Sequence, residues 1–353
     1  MEELRFPAAL GRAIGWQPPA STERITVLDA HTGGEPLRIL LAGMPLPAGD
    51  SVLARRRDAR DRLDRYRRAL MWEPRGHADM YGCIVLPPDT PDAHFGVLFL
   101  HNEGYSSMCG HGIIAVVTAL LETGVLPPEL VGQEIRIDAP AGRIVAVAER
   151  SGERIAGVRF RNVPSFLALG DAVADVPGVG AVGFDLGFGG AFYAYVDAVP
   201  LGLALVPAEF RRIIELGAAI KQAVMAQFPI EHPFEPDLSF LYGTIFVAPP
   251  QDSANHSRNV CVFAEGEVDR SPTGTGVSGR AAIHVARGEL PMGEEIRIES
   301  LTGSVFGVRA MESLHFGPHE AIVPEVSGSA ALTGRSEFWL DPHDAQGGGF
   351  LLR

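Results

Sequence analysis

The chain repeats part of itself, and that repetition limits its folds more than any other feature. Ser107-Met108-Cys109-Gly110-His111-Gly112, followed by an apolar run over 113–121, is echoed by Ser271-Pro272-Thr273-Gly274-Thr275-Gly276. Cys109/Thr273, Gly110/Gly274, Gly112/Gly276, Gly124/Gly288 and Leu126/Leu290 keep one spacing. Glu134-Ile135-Arg136-Ile137 answers Glu295-Ile296-Arg297-Ile298 at a slightly shorter offset, as Gly142 answers Gly303. Upstream, Tyr81-Gly82-Cys83-Ile84 answers Tyr242-Gly243-Thr244-Ile245, and Glu103-Gly104 answers Glu265-Gly266. An ancient duplication accounts for this pattern. It predicts two related halves, each with strands, a glycine turn, a central buried helix and further strands.

A length of 353 residues is enough for two domains with full cores. Apolar or alternating runs predict strands over 24–28, 37–41, 81–86, 95–100, 134–148, 155–163, 184–197 and 320–332. Residues 1 to about 21 read as a poorly patterned leader, and Asp29-Ala30-His31-Thr32-Gly33-Gly34-Glu35-Pro36 as a turn cluster. The Arg55 to Arg68 stretch, broken by Asp58, Asp61 and Asp64, predicts a solvated helix. An amphipathic surface helix is expected over 209–227. The duplication places a linker near 182, and residues 336–340 are expected to return to the first half. The domains are therefore 22–182 plus 336–353, carrying Cys109, and 183–335, carrying Asp269 and Thr273.

Several function classes are disfavoured. A net charge of −13 argues against nucleic acid and anionic membrane as partners. No apolar stretch reaches the roughly 18 residues of a membrane span. Met1-Glu2-Glu3 does not begin a signal peptide, and Cys83, Cys109 and Cys261 are too far apart for a disulfide framework or a paired-cysteine zinc site, so a cytoplasmic location is expected. His31, His77, His94, His101 and His111 are scattered without metal-ligand spacing. Lys221, the sole lysine, falls in the 209–227 helix, which disfavours Schiff-base chemistry. Gly274 to Gly279 fits a GxGxxG pattern, but the copy at 110–115 lacks its third glycine and no βαβ alternation surrounds either.

Cys109 is the leading candidate for chemistry. A thiol at a helix N-terminus faces unpaired N–H groups that stabilise thiolate, which predicts a lowered pKa and a general base. Gly110 and Gly274, without side chains, let two helix N-termini approach a small carboxylate or phosphate. Asp269, four residues before Thr273, could hold a substrate ammonium group. Asp29, His31 and Glu35 read first as turn formers.

Together with Arg75-Gly76-His77-Ala78-Asp79-Met80, Arg161-Asn162-Val163-Pro164-Ser165 and Asp269-Arg270-Ser271, these motifs resemble the proline racemase family across nearly the whole chain. The resemblance implies an α/β (α+β) fold of two pseudo-symmetric domains, each a mixed barrel-like sheet around a central helix, using no cofactor or metal. Racemases and epimerases of that family carry cysteine at both echo positions. Here position 273 is threonine, a pairing similar to the family's trans-3-hydroxy-L-proline dehydratases. The resemblance then implies Cys109 as Cα-proton acceptor, Thr273 packing across the ring, and His111 or the new thiol protonating the leaving hydroxide. It implies a substrate carboxylate at the N–H groups of Gly110, His111, Gly274 and Thr275, with Asp269 and His232 near the ring nitrogen, and a homodimer. A proline racemase or hydroxyproline 2-epimerase, and a non-catalytic binding protein for proline-like amino acids, are the competing readings.

Overall fold

The computed structural model describes residues 11–352, so the first ten residues of the expected leader lie outside it. The chain runs through α1 (Gly11–Ile14), β1 (Glu23–Thr32), β2 (Glu35–Ala42), α2 (Val52–Arg62), α3 (Asp64–Met71), β3 (Tyr81–Leu86), β4 (Phe95–His101), β5 (Tyr105–Ser106), α4 (Gly110–Glu122), β6 (Ile135–Ala139), β7 (Gly142–Ser151) and β8 (Arg154–Arg161). It continues through β9 (Ser165–Val176), β10 (Gly180–Phe188), β11 (Phe192–Asp197), α5 (Phe210–Gln227), β12 (Leu241–Ala248), β13 (Ser257–Phe263), β14 (Glu267–Val268), α6 (Gly274–Ala286), β15 (Glu295–Glu299), β16 (Val305–Phe316), β17 (His319–Gly328) and β18 (Ala330–Leu340). The series from β1 to β8 is reproduced, element for element, by the series from β10 to β17, with α5 standing where α2 and α3 stand.

In the second half, β9, β10, β11, β12, β13, β15, β16 and β17 pair in that order. Ala321 of β17 pairs back to Phe166 of β9, which closes an eight-stranded barrel. The barrel is mixed because the β11–β12 and β13–β15 steps are parallel. The first half follows the same rule from β18 through β1, β2, β3, β4, β6 and β7 to β8, with parallel steps at β2–β3 and β4–β6. Its seam is filled by the end of β17, where Glu325 pairs with Arg161 and Gly328 with Val158 before the chain runs on into β18.

Each barrel is filled by a buried helix: α4 is apolar almost throughout, the pattern of a helix with no solvent face, whereas α6 also carries Ser278 and Arg280, which are buried with partners. Every residue of α4 from Gly110 to Leu121 is buried, as is every residue of α6 from Gly274 to Ile283. α4 packs on β1, β2, β7, β8 and β18, whereas α6 packs on β9, β10, β11, β16 and β17. From these contacts we propose that the chain crosses between halves at Asn162 to Pro164 and again at Ser329, so that β9 belongs with the second half.

Three local expectations need correction. Asp29 to Thr32 and Glu35 to Pro36 are strand, and the turn is only Gly33-Gly34. Their φ values of 62° and 93° are those a tight two-residue hairpin requires at both positions. The arginine-rich stretch is two helices broken at Leu63, and Arg67 is buried, donating to the carbonyls of His101 and Asn102. Helix α5 lies half-buried on the barrel, since Gly217 lets it settle against Val262, and Lys221 is buried with its Nζ donating to the Ala264 carbonyl at 3.0 Å.

The duplication extends to individual interactions. Asp138 accepts from the N–H groups of Asp89 and Thr90 and from Arg143, and Glu299, its counterpart, accepts from Gln251 N, Asp252 N, Asn255 and Arg258. Burial opposes ionisation of Glu299, but those donors outweigh it and hold the pKa down at about 2. A depressed carboxylate stabilises the fold fully above its unfolded pKa and ceases to do so as pH falls through the folded one. Glu299→Gln should therefore cost about 3 kcal/mol near neutral pH. In urea titrations the gap between parent and variant should close as pH is taken down toward 2; a constant gap would mean the ionised form is not what matters.

Candidate active site

The N-termini of α4 and α6 meet head to head, and they can do so because both begin with glycine. A Cβ on Gly110 would lie 2.4 Å from the Gly274 Cα, and one on Gly274 would lie 2.6 Å from the Gly110 Cα. Backbone faces backbone there, so no rotamer change can make room. Gly110→Ala should destabilise the protein by about 3 kcal/mol, read as a lower denaturation midpoint. An unchanged midpoint would show that the halves can slide apart at little cost.

The first intrahelical bonds run from Ile113 N to Cys109 O and from Val277 N to Thr273 O. The N–H groups of Gly110, His111, Gly274 and Thr275 precede them, and these four residues line the same small region. Cys109 is the N-cap of α4, with φ −148° and ψ 111°, and its Sγ accepts from Gly112 N at 3.3 Å. His111 folds back so that its Nδ1 lies 3.2 Å from that sulfur. The imidazole is held edge-on against Tyr81, and the Pro36 carbonyl acts on it in favour of its charged form. Thr273 caps α6 at φ 69°, a conformation that a β-branched residue adopts only under strain. Its hydroxyl is buried without a hydrogen-bond partner among the described residues. Asp269 is buried, and its Oδ1 accepts from Ser271 N at 2.7 Å.

Cys109, Gly110, His111, Asp269, Thr273, Gly274 and Thr275 all line one small cavity. His232 does not line it. Its Nδ1 accepts from Glu235 N at 3.0 Å, and its ring packs among Phe188, Phe234 and Phe316. Sequence reasoning missed the rest of the wall: Met108, Tyr81, Tyr193, Tyr242, Cys261 and Phe263. Tyr81 Oη lies 3.1 Å from Tyr242 Oη, and Tyr193 Oη lies 2.7 Å from Thr275 Oγ1. The signal available was the Tyr81/Tyr242 echo, because a duplicated pair on opposed helices and strands meets near the axis relating them.

Electrostatics reverse one expectation. Burial pushes the Cys109 thiol well above its ordinary range, with Asp269 adding to it, and the Gly112 N–H only partly opposes this. Burial likewise lowers His111, although Asp269 and the Pro36 carbonyl favour its charged form. Both groups therefore rest neutral, a thiol beside an imidazole. A proton passed from sulfur to nitrogen would leave a thiolate–imidazolium pair, which is easier to bury than a lone thiolate.

Among the described residues no group of three or more His, Cys, Asp or Glu side chains is placed to hold a metal ion, and no helix is long and apolar enough to cross a membrane. The description of the proline racemase family matches residues 27–351. The chain belongs to the proline racemase family. Within it, the chain is 48% identical over 341 residues to a trans-3-hydroxy-L-proline dehydratase of Colwellia psychrerythraea, covering 96% of each. It is 44% identical to a 3-hydroxyproline 2-epimerase of Burkholderia multivorans, covering 93% of this chain and 98% of that one. A crystal structure of a hydroxyproline epimerase from Agrobacterium vitis with bound trans-4-hydroxy-L-proline superposes with a TM-score of 0.88 at 30% identity, covering 94% of this chain and 96% of that one. Identity alone separates dehydratase from epimerase poorly here, so the residues facing the cavity must decide.

Proposed function

We propose that the protein removes water from trans-3-hydroxy-L-proline to give Δ1-pyrroline-2-carboxylate. One observation carries this reading: the cavity has a thiol paired with imidazole at one helix end and a threonine at the other. An alcohol is a far poorer acid or base than a thiol near neutral pH, so inversion between two bases lacks its second partner.

One base is enough for this substrate. In trans-3-hydroxy-L-proline the hydroxyl lies opposite the carboxylate, hence on the ring face of the Cα hydrogen. Cys109 gives its proton to His111, takes the Cα proton as thiolate, and the C3–O bond breaks as C2=C3 forms. The imidazolium of His111 protonates the departing hydroxide to water. Thiol and imidazole are both restored, and the enamine gains a proton at C3 and loses one from nitrogen to become the imine. The four N–H groups at the helix ends take the carboxylate and the charge that develops on it, and Asp269 takes the ring ammonium. Burial keeps water from weakening these interactions.

The reading takes the reaction to need no cofactor and the enzyme to be a homodimer, as the resemblance to family members implies, and takes it to be cytoplasmic, as the three widely spaced cysteines suggest. Incubation with trans-3-hydroxy-L-proline in deuterated water, followed by NMR, tests the reaction. Loss of the C3 hydroxyl with appearance of the pyrroline is expected. Cα exchange or inversion without elimination would move the reading to an epimerase, and no change in any proline isomer would leave a binding protein.

A further inference from the structure

Glu35 takes no part in the chemistry above, yet it is buried beside it. It opens β2, has no exposed surface, and its Oε2 accepts from Arg270 N at 2.7 Å across the junction of the halves. Its Oε1 has no hydrogen-bond partner among the described residues. The Arg270 guanidinium is directed elsewhere, to Asp79 Oδ2 at 2.8 Å and the Val268 carbonyl at 2.7 Å. Asp269, Asp79 and Arg270 are the charged groups acting on Glu35, and the Cys109 and Cys261 thiols are the titratable groups that feel it in turn. A buried carboxylate with one backbone donor and two acidic neighbours is expensive as an ion and far less so as an acid. Burial first, and Asp269 second, accordingly push its carboxyl well above the usual carboxylate range.

The hairpin that carries Glu35 also holds His111. Thr32 Oγ1 donates to the His111 carbonyl at 2.9 Å, and the Pro36 carbonyl of the same hairpin acts on the imidazole electrostatically. Arg270, on the other side of the tie, lies between Asp269 and Ser271 in the loop leading to Thr273. Thr302 Oγ1 braces the same contact, 3.0 Å from the carbonyls of both Gly33 and Arg270.

We propose that Glu35 is a positioning residue: in its uncharged form it ties the hairpin holding His111 to the loop carrying Asp269 and Thr273. The two sides of the cavity keep their spacing through this contact. Ionised, the same group would set a second negative charge beside Asp269, in a cavity that must also take the substrate carboxylate at its helix ends.

The kinetic part of the test rests on the proposed dehydration; the binding part does not. Glu35→Ala should lower kcat/KM for trans-3-hydroxy-L-proline by about 10²-fold, the scale of a small misplacement of catalytic groups. Glu35→Gln, which keeps an acceptor for Arg270 N and carries no charge, should recover it to within about tenfold of the parent. Binding of pyrrole-2-carboxylate is measured by calorimetry from pH 6 to pH 10 in a Cys109→Ser background, which silences the thiol. Affinity should fall with rising pH where Glu35 is present and fall less in the glutamine variant. Equal pH slopes, or a glutamine variant as impaired as the alanine one, would overturn the proposal, as would an alanine variant equal to the parent. Should the alanine variant not fold, the two binding slopes decide. If the parent does not dehydrate the substrate, the proposed function fails and the slopes still judge Glu35.

Discussion

Cys109→Ala should lower turnover of trans-3-hydroxy-L-proline by about 10³- to 10⁴-fold, the loss expected when a positioned general base disappears. The fold should survive, because the side chain is small and its hydrogen bonds are those to Gly112 N and His111. The pH profile of the parent gives the sharper check. On the proposed mechanism, activity needs the Cys109–His111 pair to hold one proton. Gaining a second on the imidazole abolishes it at low pH, and losing the one from the thiol changes it at high pH. Burial lowers His111 and raises Cys109, so the acid limb should fall below the ordinary imidazole range and the alkaline limb above the ordinary thiol range. His111→Asn should abolish the acid limb and most of the turnover. A narrow bell centred between the ordinary values, or a His111→Asn variant with full turnover, would remove His111 from the chemistry.

Thr273→Cys should create an activity the parent lacks. The introduced thiol would cap α6 as Cys109 caps α4, and a thiol there can return a proton to the ring face that Cys109 does not reach. Inversion at Cα, read as cis-3-hydroxy-D-proline formed from trans-3-hydroxy-L-proline, should rise at least about 10²-fold over the parent. Elimination should continue beside it, since the Cys109 face is untouched. Backbone strain does not argue against the change, because cysteine lacks the β-branch that makes φ 69° costly for threonine. A variant that only eliminates, with no inversion or Cα exchange beyond the parent, would show that position 273 does not face the reacting carbon.

Much of this was legible in the chain. Repeated glycines at 110 and 274 marked two helix ends open to close approach, which the sequence assigned to a ligand and the structure also assigns to the opposite backbone, and an apolar run with no polar stripe could only be a helix enclosed by strands. What escaped depended on distant neighbours. Lys221 sits on a helix whose pattern is amphipathic, and only the approach allowed by Gly217 shows that it points inward. Tyr81, Tyr193 and Tyr242 come from three strands far apart in sequence, and nothing local marks them as one wall. The thiol was misjudged for the same reason: the helix dipole is a local effect visible in sequence, whereas the burial that outweighs it belongs to the assembled barrels. Glu35 looked like a turn former because it follows Gly33-Gly34, while its partner is in the other half.

The head-to-head meeting of α4 and α6 places the cavity on the axis that relates the two repeats. A pair of identical half-length chains joined about such an axis would present the same side chain to both faces of whatever lay between them. Any substitution would arrive twice, so a one-sided catalyst could not arise by a single exchange. Once both copies are written into one chain, either can change while the other is kept. Cys109 and Thr273 are such a difference, and under the proposed mechanism a symmetrical scaffold thereby acquires a reactive face and an inert one.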